Sequence, residues 1–272
     1  MEYPLGAGSE TREHAGGRGD LHALSSWQRI VHIGNVIHDS QHPSIREKSG
    51  LSAMLVAIDG PAGVGKSTIA RRCAEHAGFL YINSGSFYRA VTLAVLERKA
   101  APDNPEAVLG VARSSRLELR DGEVCLDGKS VESLLHGDTV DAWVASHSAI
   151  PGVRDIVNAR LREIAARRDA VVEGRDIGTV VFPDARVKIF LDADIATRAS
   201  RRHEQGVSRL SLDETRAAIG ARDTVDRNKP TGRLVAAPDA LHIDTSLLTI
   251  QQVCERVDEA ILVSRNNPGD IR

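Results

Sequence analysis

Met54-Leu-Val-Ala-Ile-Asp-Gly-Pro-Ala-Gly-Val-Gly-Lys-Ser-Thr68 runs from an apolar stretch, through a cluster of glycines, to a lysine and two hydroxyls. Gly60, Gly65, Lys66 and Ser67 fill every defined position of the pattern G-x-x-x-x-G-K-[ST]. The spacing has a physical reason. A buried strand over residues 55–58 aims the chain at a phosphate, and the glycines permit close backbone approach. Gly60, Pro61, Ala62, Gly63, Val64 and Gly65 then curl into an anion-binding nest, and Lys66, Ser67 and Thr68 open a helix whose positive end faces the same anion. Lys66 is placed to span the β- and γ-phosphates of a triphosphate, and the Ser67 hydroxyl to ligate its Mg²⁺. A glycine-rich turn that binds nothing is the plain alternative. The apolar strand before the loop and the helical run over 69–77 supply the context the pattern needs, so a nucleoside triphosphate site is expected.

The rest of the composition narrows the class. A chain of 272 residues, 42% hydrophobic, can hold one large α/β domain or a core with an insert. Its formal net charge of −2 carries no polyanion-binding signature, so no nucleic-acid partner is expected and any basic site must be local. No apolar run approaches the roughly 18–20 residues of a membrane span, and the N-terminus lacks a secretory pattern. Cys73, Cys125 and Cys254 are widely spaced with no C-x-x-C, which points to free thiols in a reducing, cytoplasmic compartment.

Residues 1–53 differ in texture, being rich in Gly, Ser and polar residues and holding five of the ten histidines. The spacings of His14, His22, His32, His38 and His42 match no usual metal-ligand pattern. A flexible leader is expected, with the functional protein beginning at or near Met54. Beyond it, short apolar runs at 55–58, 79–82, 170–173, 187–191 and 240–244 alternate with helical patterns at 69–77, 87–98, 153–167, 195–203, 212–226 and 250–263. Such alternation describes a parallel five-stranded sheet covered by helices on both faces, a three-layer α/β/α fold. Leu117 to Leu126 reads instead as a hairpin around Asp121-Gly122, so residues 100–155 are expected to form an insert. The core then comprises 54–99 and 156–264, with a tail at 265–272.

Ligands of parallel sheets sit at the carboxyl ends of the strands, which gathers residues 60–68, 83–89 and 174–176 at one edge. Arg89, Arg175 and Arg154 lie at or near those turns, and Arg222 and Arg227 precede the last strand. Several guanidinium forks converging from different elements suit an acceptor that already carries phosphate. Arg198, Arg201 and Arg202 form a second basic cluster, read either as a lid over 198–210 that closes on the triphosphate or as a solvated charge run.

Ala57-Ile-Asp-Gly-Pro-Ala-Gly-Val-Gly-Lys-Ser-Thr68, Tyr88-Arg89 and Glu173-Gly-Arg-Asp-Ile-Gly-Thr-Val-Val-Phe-Pro-Asp184 resemble bacterial cytidylate kinase, a P-loop nucleoside monophosphate kinase, over about residues 55–263. The resemblance implies transfer of the γ-phosphoryl of ATP to CMP or dCMP, giving CDP or dCDP, by a monomer. It implies a core, a monophosphate-binding insert with a small sheet, and a lid. It places Ser84, Tyr88, Arg89, Arg154, Arg175, Asp176, Arg222 and Asp226 around the acceptor, and Arg198, Arg201 and Arg202 with Lys66 at the transferring phosphoryl. Asn83 stands where the family usually has Asp, and Lys229 where it has Arg. Pro230-Thr-Gly-Arg233 differs from the family pattern, and the lid loop around Gln205-Gly206 is shorter. The family's serine falls at either Ser146 or Ser148. Two other readings stay open: a P-loop kinase for another small acceptor, and a nucleotide-binding paralogue without transferase activity.

Overall fold

The apolar run after Met54 forms strand β1 (Leu55–Asp59), and the loop that follows feeds helix α1 (Lys66–Ala77). Residues 53–204, 206 and 210–266 are described in this computed structural model. The expected leader therefore lies outside the described residues except for Ala53, as do residues 205 and 207–209 of the lid loop and 267–272 of the tail. Strand β2 (Leu80–Asn83) leads directly into α2 (Ser84–Glu97). That helix starts three residues earlier than its apolar pattern suggests. Asn83 caps it, its side chain accepting from Ser86 N at 3.2 Å, so the weak helix formers Ser84-Gly85 are drawn into the first turn.

The next segment contains α3 (Pro105–Ser114), β3 (Leu117–Arg120), β4 (Glu123–Leu126), a two-residue β5 (Lys129–Ser130), α4 (Asp138–His147) and α5 (Pro151–Ala165). The hairpin turns at Asp121-Gly122, and β3-β4-β5 make a small antiparallel sheet. Helices α3 and α4 are short, and the sequence patterns did not mark them. Asn104 caps α3 ahead of Pro105 at its first position. The chain then returns to the core through β6 (Ala170–Gly174), β7 (Val187–Asp192), α6 (Ile195–Glu204), α7 (Leu212–Asn228), β8 (Leu241–Asp244) and α8 (Ile250–Asn266).

The main sheet is parallel in the order β2-β6-β1-β7-β8. Its two faces bury different sets. Val56 and Ile58 join Val171, Ile189, Leu191 and Ile243 against the apolar sides of α1 and α8. Ala57 joins Ile82 and Val172 against α2, α3 and α5, in a cluster that also takes in Leu117, Val124 and Leu126 of the small sheet. Each fully buried aliphatic side chain contributes about 1.5–3 kcal/mol. Both faces are therefore held firmly, and the strand ends between them are fixed in place. The register pairs Asn83 with Glu173 and Asp59 with both Gly174 and Phe190. The carboxyl ends of β2, β6 and β1 thus finish level, and the loops that follow them share one edge.

Candidate active site

The loop from Gly60 to Gly65 lies tight against the neighbouring strand. A Cβ at Gly60 would stand 2.2 Å from the Leu191 carbonyl oxygen, so no larger residue fits there. Helix α1 has no side-chain cap at its start, which leaves the N–H groups of its first turn directed at the loop cavity. Beside the loop lies a cavity of about 400 Å³ lined by Gly63, Val64, Gly65, Thr68, Ile69, Leu248, Ile250 and Val253, together with the polar Arg201, Glu204, Thr245 and Thr249. Apolar side chains of α1 and α8 share its walls with those polar groups, and residues 63–65 of the phosphate loop form part of it. That combination suits a base attached to a triphosphate.

Lys66 is buried, and its Nζ donates to the Pro61 carbonyl at 2.7 Å. Burial pushes its pKa well below the usual lysine range, and the nearby Arg175 and Arg222 push it the same way, against Glu173 and Asp59. Arg222 is itself lowered to about 10, by desolvation in the cleft first and then by Arg175, with Arg89 adding to it. Lys66 and Arg222 are thus both pushed down by burial first and by the Arg175 guanidinium after it. A bound anion would add to the partial compensation that Glu173, Asp59 and Asp226 already give.

Carboxylates position this group from behind. Asp226 receives Arg175 Nε at 2.9 Å and Lys229 Nζ at 2.8 Å, with Arg222 Nε at 4.0 Å. Burial raises Asp226, but Arg175 and Lys229 outweigh it and hold its pKa at about 2. Lys229 also donates to Ser148 Oγ at 3.1 Å. A point charge in place of the usual guanidinium thus still joins carboxylate and hydroxyl. Ser148 is buried and its carbonyl accepts from Arg154, whereas Ser146 is exposed and its hydroxyl donates to Trp143 O within its own helix. Of the two serines left open by the sequence, the fold brings Ser148 to the cleft.

Arg154 pairs with Asp176, both buried, and its guanidinium lies 5.5 Å from the centre of the Tyr88 ring. The segment after α7 closes on it. Gly232, at φ 68°, lies so near that a Cβ there would stand 2.1 Å from Arg154 Cζ. Ser84 Oγ donates to Glu173 O at 2.7 Å, and Tyr88 Oη donates to Asn158 at 3.1 Å. Arg89 donates to Leu135 O at 2.8 Å and Asp141 at 2.5 Å, tying α2 to α4.

The three arginines of α6 diverge. Arg198 is buried and turns inward, bonding Ala193 O, the loop carbonyl of Ala62 at 3.1 Å and Asp223 at 2.6 Å. Arg201 donates to Thr245 Oγ1 and Thr245 O at the end of β8. Burial first, then Arg89 and last Arg202 lower the pKa of His136, against Glu132 and Asp141.

Sequence reasoning missed three site residues. Glu173 is buried and accepts from Tyr81 Oη at 2.6 Å, and the Ser67 hydroxyl lies against the same phenol. Asp223 holds Arg198. Asp59 accepts from Ile177 N and Gly178 N, each at 2.8 Å, and so locks the turn after β6 to the base of the phosphate loop. Its position directly before Gly60 was the one available signal.

Burial raises the Asp59 pKa to about 6 despite those two hydrogen bonds. From about pH 4 to 6 the folded chain keeps a proton that the unfolded chain releases. The contribution of this group to stability therefore falls as pH rises through that window, by up to about 3 kcal/mol, and is constant above it. Unfolding free energies of wild type and Asp59→Asn, measured by urea titration from pH 4 to 8, should show that difference changing only in the lower half of the range. A difference independent of pH would contradict the assignment.

A family model described as Cytidylate kinase matches residues 56–262, which takes in the loop, the small sheet and the Arg175–Asp226 cluster. The chain belongs to the cytidylate kinase family. It is 41% identical over 219 residues to a cytidylate kinase of Caldanaerobacter subterraneus subsp. tengcongensis, covering 79% of this chain and 97% of that one. It is 40% identical over 214 residues to a cytidylate kinase of Limosilactobacillus reuteri, covering 76% and 94%. No helix among the described residues is long and apolar enough to cross a membrane.

Proposed function

We propose that this protein transfers the γ-phosphoryl of ATP to CMP or dCMP, yielding ADP and CDP or dCDP, as a cytoplasmic monomer. The observation that carries the reading is the crowding of Lys66, Arg175, Arg222 and Arg89 between the phosphate loop and the insert. In this reading residues 54–99 and 156–264 form the core that supplies these four cations, 100–155 the monophosphate-binding insert, and 198–210 the lid. ATP fits with its base in the cavity beside α8 and its phosphates in the loop. The acceptor's phosphate lies towards Arg89, Arg175 and Arg222, and Arg154, Asp176, Tyr88, Ser84 and Asp226 shape the space for its nucleoside.

An oxygen of the acceptor phosphate attacks the γ-phosphorus in line with the departing ADP oxygen. No side chain need become a nucleophile, so the residues work by orientation and charge neutralisation. Lys66 is placed to leave Pro61 O for the transferring phosphoryl. Arg202 stands near the cleft to join it there. Arg198 acts from beneath, through Ala62 and Asp223, on the shape of the loop.

The Ser67 hydroxyl and the Glu173 carboxylate offer hard oxygen donors of the kind Mg²⁺ takes. Among the described residues no group of three or more acidic, His or Cys side chains is arranged to hold a metal ion. A cation arriving with the triphosphate fits both facts. When bound it would neutralise charge on the phosphates.

The test is ADP release from ATP–Mg²⁺ with CMP, dCMP, UMP or AMP in turn. Turnover with CMP or dCMP well above the others is expected. Turnover only with another acceptor, or binding of CMP with no turnover, would overturn the reading.

A further inference from the structure

Helix α6 stands directly behind the phosphate loop. A Cβ at Gly63 would come within 3.0 Å of the Arg198 carbonyl oxygen and 3.3 Å of the Arg198 Cβ, so loop and helix touch there. The Arg198 side chain then ties three elements together. Its Nε donates to Ala193 O, just past β7, at 2.9 Å, and its Nη1 donates both to Ala62 O of the loop at 3.1 Å and to Asp223 Oδ2 of α7 at 2.6 Å. Asp223 is buried, and its other oxygen, Oδ1, has no hydrogen-bond partner among the described residues. A pair that only held α6 to α7 would be expected to satisfy both carboxylate oxygens. Here one stays unpaired while the other fixes the guanidinium where it also reaches Ala62.

What Ala62 O does decides what its neighbour can do. The Ala62–Gly63 peptide is trans, so its C=O and N–H point in opposite directions. With the carbonyl turned to Arg198, the Gly63 N–H is turned away from it, as a donor for the anion nest. Gly63 sits at φ 77° and lines the cavity beside the loop. Glycine accepts either sign of φ, so this peptide plane is the easiest in the loop to flip. Flipped, it would present a carbonyl oxygen where the nest needs an N–H. Lys66 holds the preceding carbonyl, Pro61 O, but is placed to leave it for the phosphoryl. Arg198, with three acceptors, stays.

We propose that Asp223 is a positioning residue for phosphoryl transfer, which holds Arg198 on Ala62 O and thereby keeps the Gly63 N–H directed at the donor phosphates. Asp223 touches no substrate itself. Its effect falls on the phosphates of the donor, because the peptide it controls belongs to the loop, and it leaves the acceptor untouched. This role rests on the reading of the loop as the ATP site.

The experiment uses the full chain as wild type, Asp223→Ala and Asp223→Asn. Calorimetry gives the Kd for ATP, for tripolyphosphate (the phosphates without a base) and for CMP, and nitrogen-15 glycine labelling follows the Gly63 amide resonance. Asp223→Ala should raise the Kd of ATP and of tripolyphosphate alike by about tenfold, leave that of CMP within about twofold, and move the Gly63 resonance in the unliganded protein. Asp223→Asn keeps an acceptor oxygen for Arg198 and should restore the ATP Kd to within about threefold of wild type. If the unpaired Arg198 charge keeps Asp223→Ala from folding, Arg198→Met combined with Asp223→Leu removes both charges together and should show the same loss. Wild-type affinity for ATP in the folded variant, an equal loss for CMP, or an unmoved Gly63 amide would overturn the role given to Asp223. A wild type that binds neither ATP nor tripolyphosphate would sink the donor-site reading instead, with the Gly63 amide still deciding whether Asp223 sets the peptide.

Discussion

Lys66→Ala is expected to lower kcat by about 10³-fold, with the circular dichroism spectrum and melting temperature preserved. Lys66 is 7% exposed, and in the protein its ammonium meets one carbonyl, with the repulsion of Arg175 and Arg222 set against the attraction of Glu173 and Asp59. A cation held in that way contributes little to the fold, because desolvation and repulsion offset its single hydrogen bond. It gains its partner only when the triphosphate arrives, and it gains most as charge spreads over the transferring phosphoryl. Steady-state kinetics beside a thermal melt separates the two roles. Near-normal turnover would refute the role given to Lys66, and a collapsed melt with little kinetic change would make it a structural residue.

Arg175→Ala is expected to raise the KM for CMP by about 10- to 100-fold, while ATP affinity changes by no more than about twofold. Arg175 reaches the cleft from the turn after β6, held by Asp226 through Nε at 2.9 Å and by a long 3.4 Å bond from Nη1 to Gly174 O, which leaves Nη2 for a phosphate oxygen. Asp226 keeps Lys229 at 2.8 Å in the variant, so its charge stays compensated and the fold survives. Arg222 and Lys66 lose a repelling neighbour and become easier to protonate, which limits the damage at the donor side. Separate titrations of the two nucleotides decide the matter. An effect confined to ATP would contradict the placement.

The legible parts of the fold are those fixed by local chemistry. The glycine spacing from Gly60 to Lys66 announces its own strand and helix, and alternating short apolar runs announce a parallel sheet. Asp121-Gly122 marks its hairpin. What stayed hidden depends on partners distant in sequence. Nothing near Arg198 says that it turns inward. Its two neighbours in the basic run, Arg201 and Arg202, look the same in composition, and only packing of α6 against α7 puts Asp223 within its reach. Asn83 looked like a loss of charge at the acceptor turn, but its observed work is capping α2, which an amide does as well as a carboxylate. Glu173 was read as part of a strand. Only pairing with β2 sets it against Asn83's end of the sheet and under Tyr81. Ser148 was separable from Ser146 only once Lys229, in a distant helix cap, supplied the contact.

The central claim is direct transfer between two bound nucleotides, with water kept out. A single turnover of enzyme with ATP carrying labelled γ-phosphorus and excess CMP, stopped by acid and separated by chromatography, tests it most directly. The expected result is label in the β-phosphate of CDP, with a trace at most in inorganic phosphate. Label left in ATP, or released as inorganic phosphate while CMP stays unchanged, would contradict it.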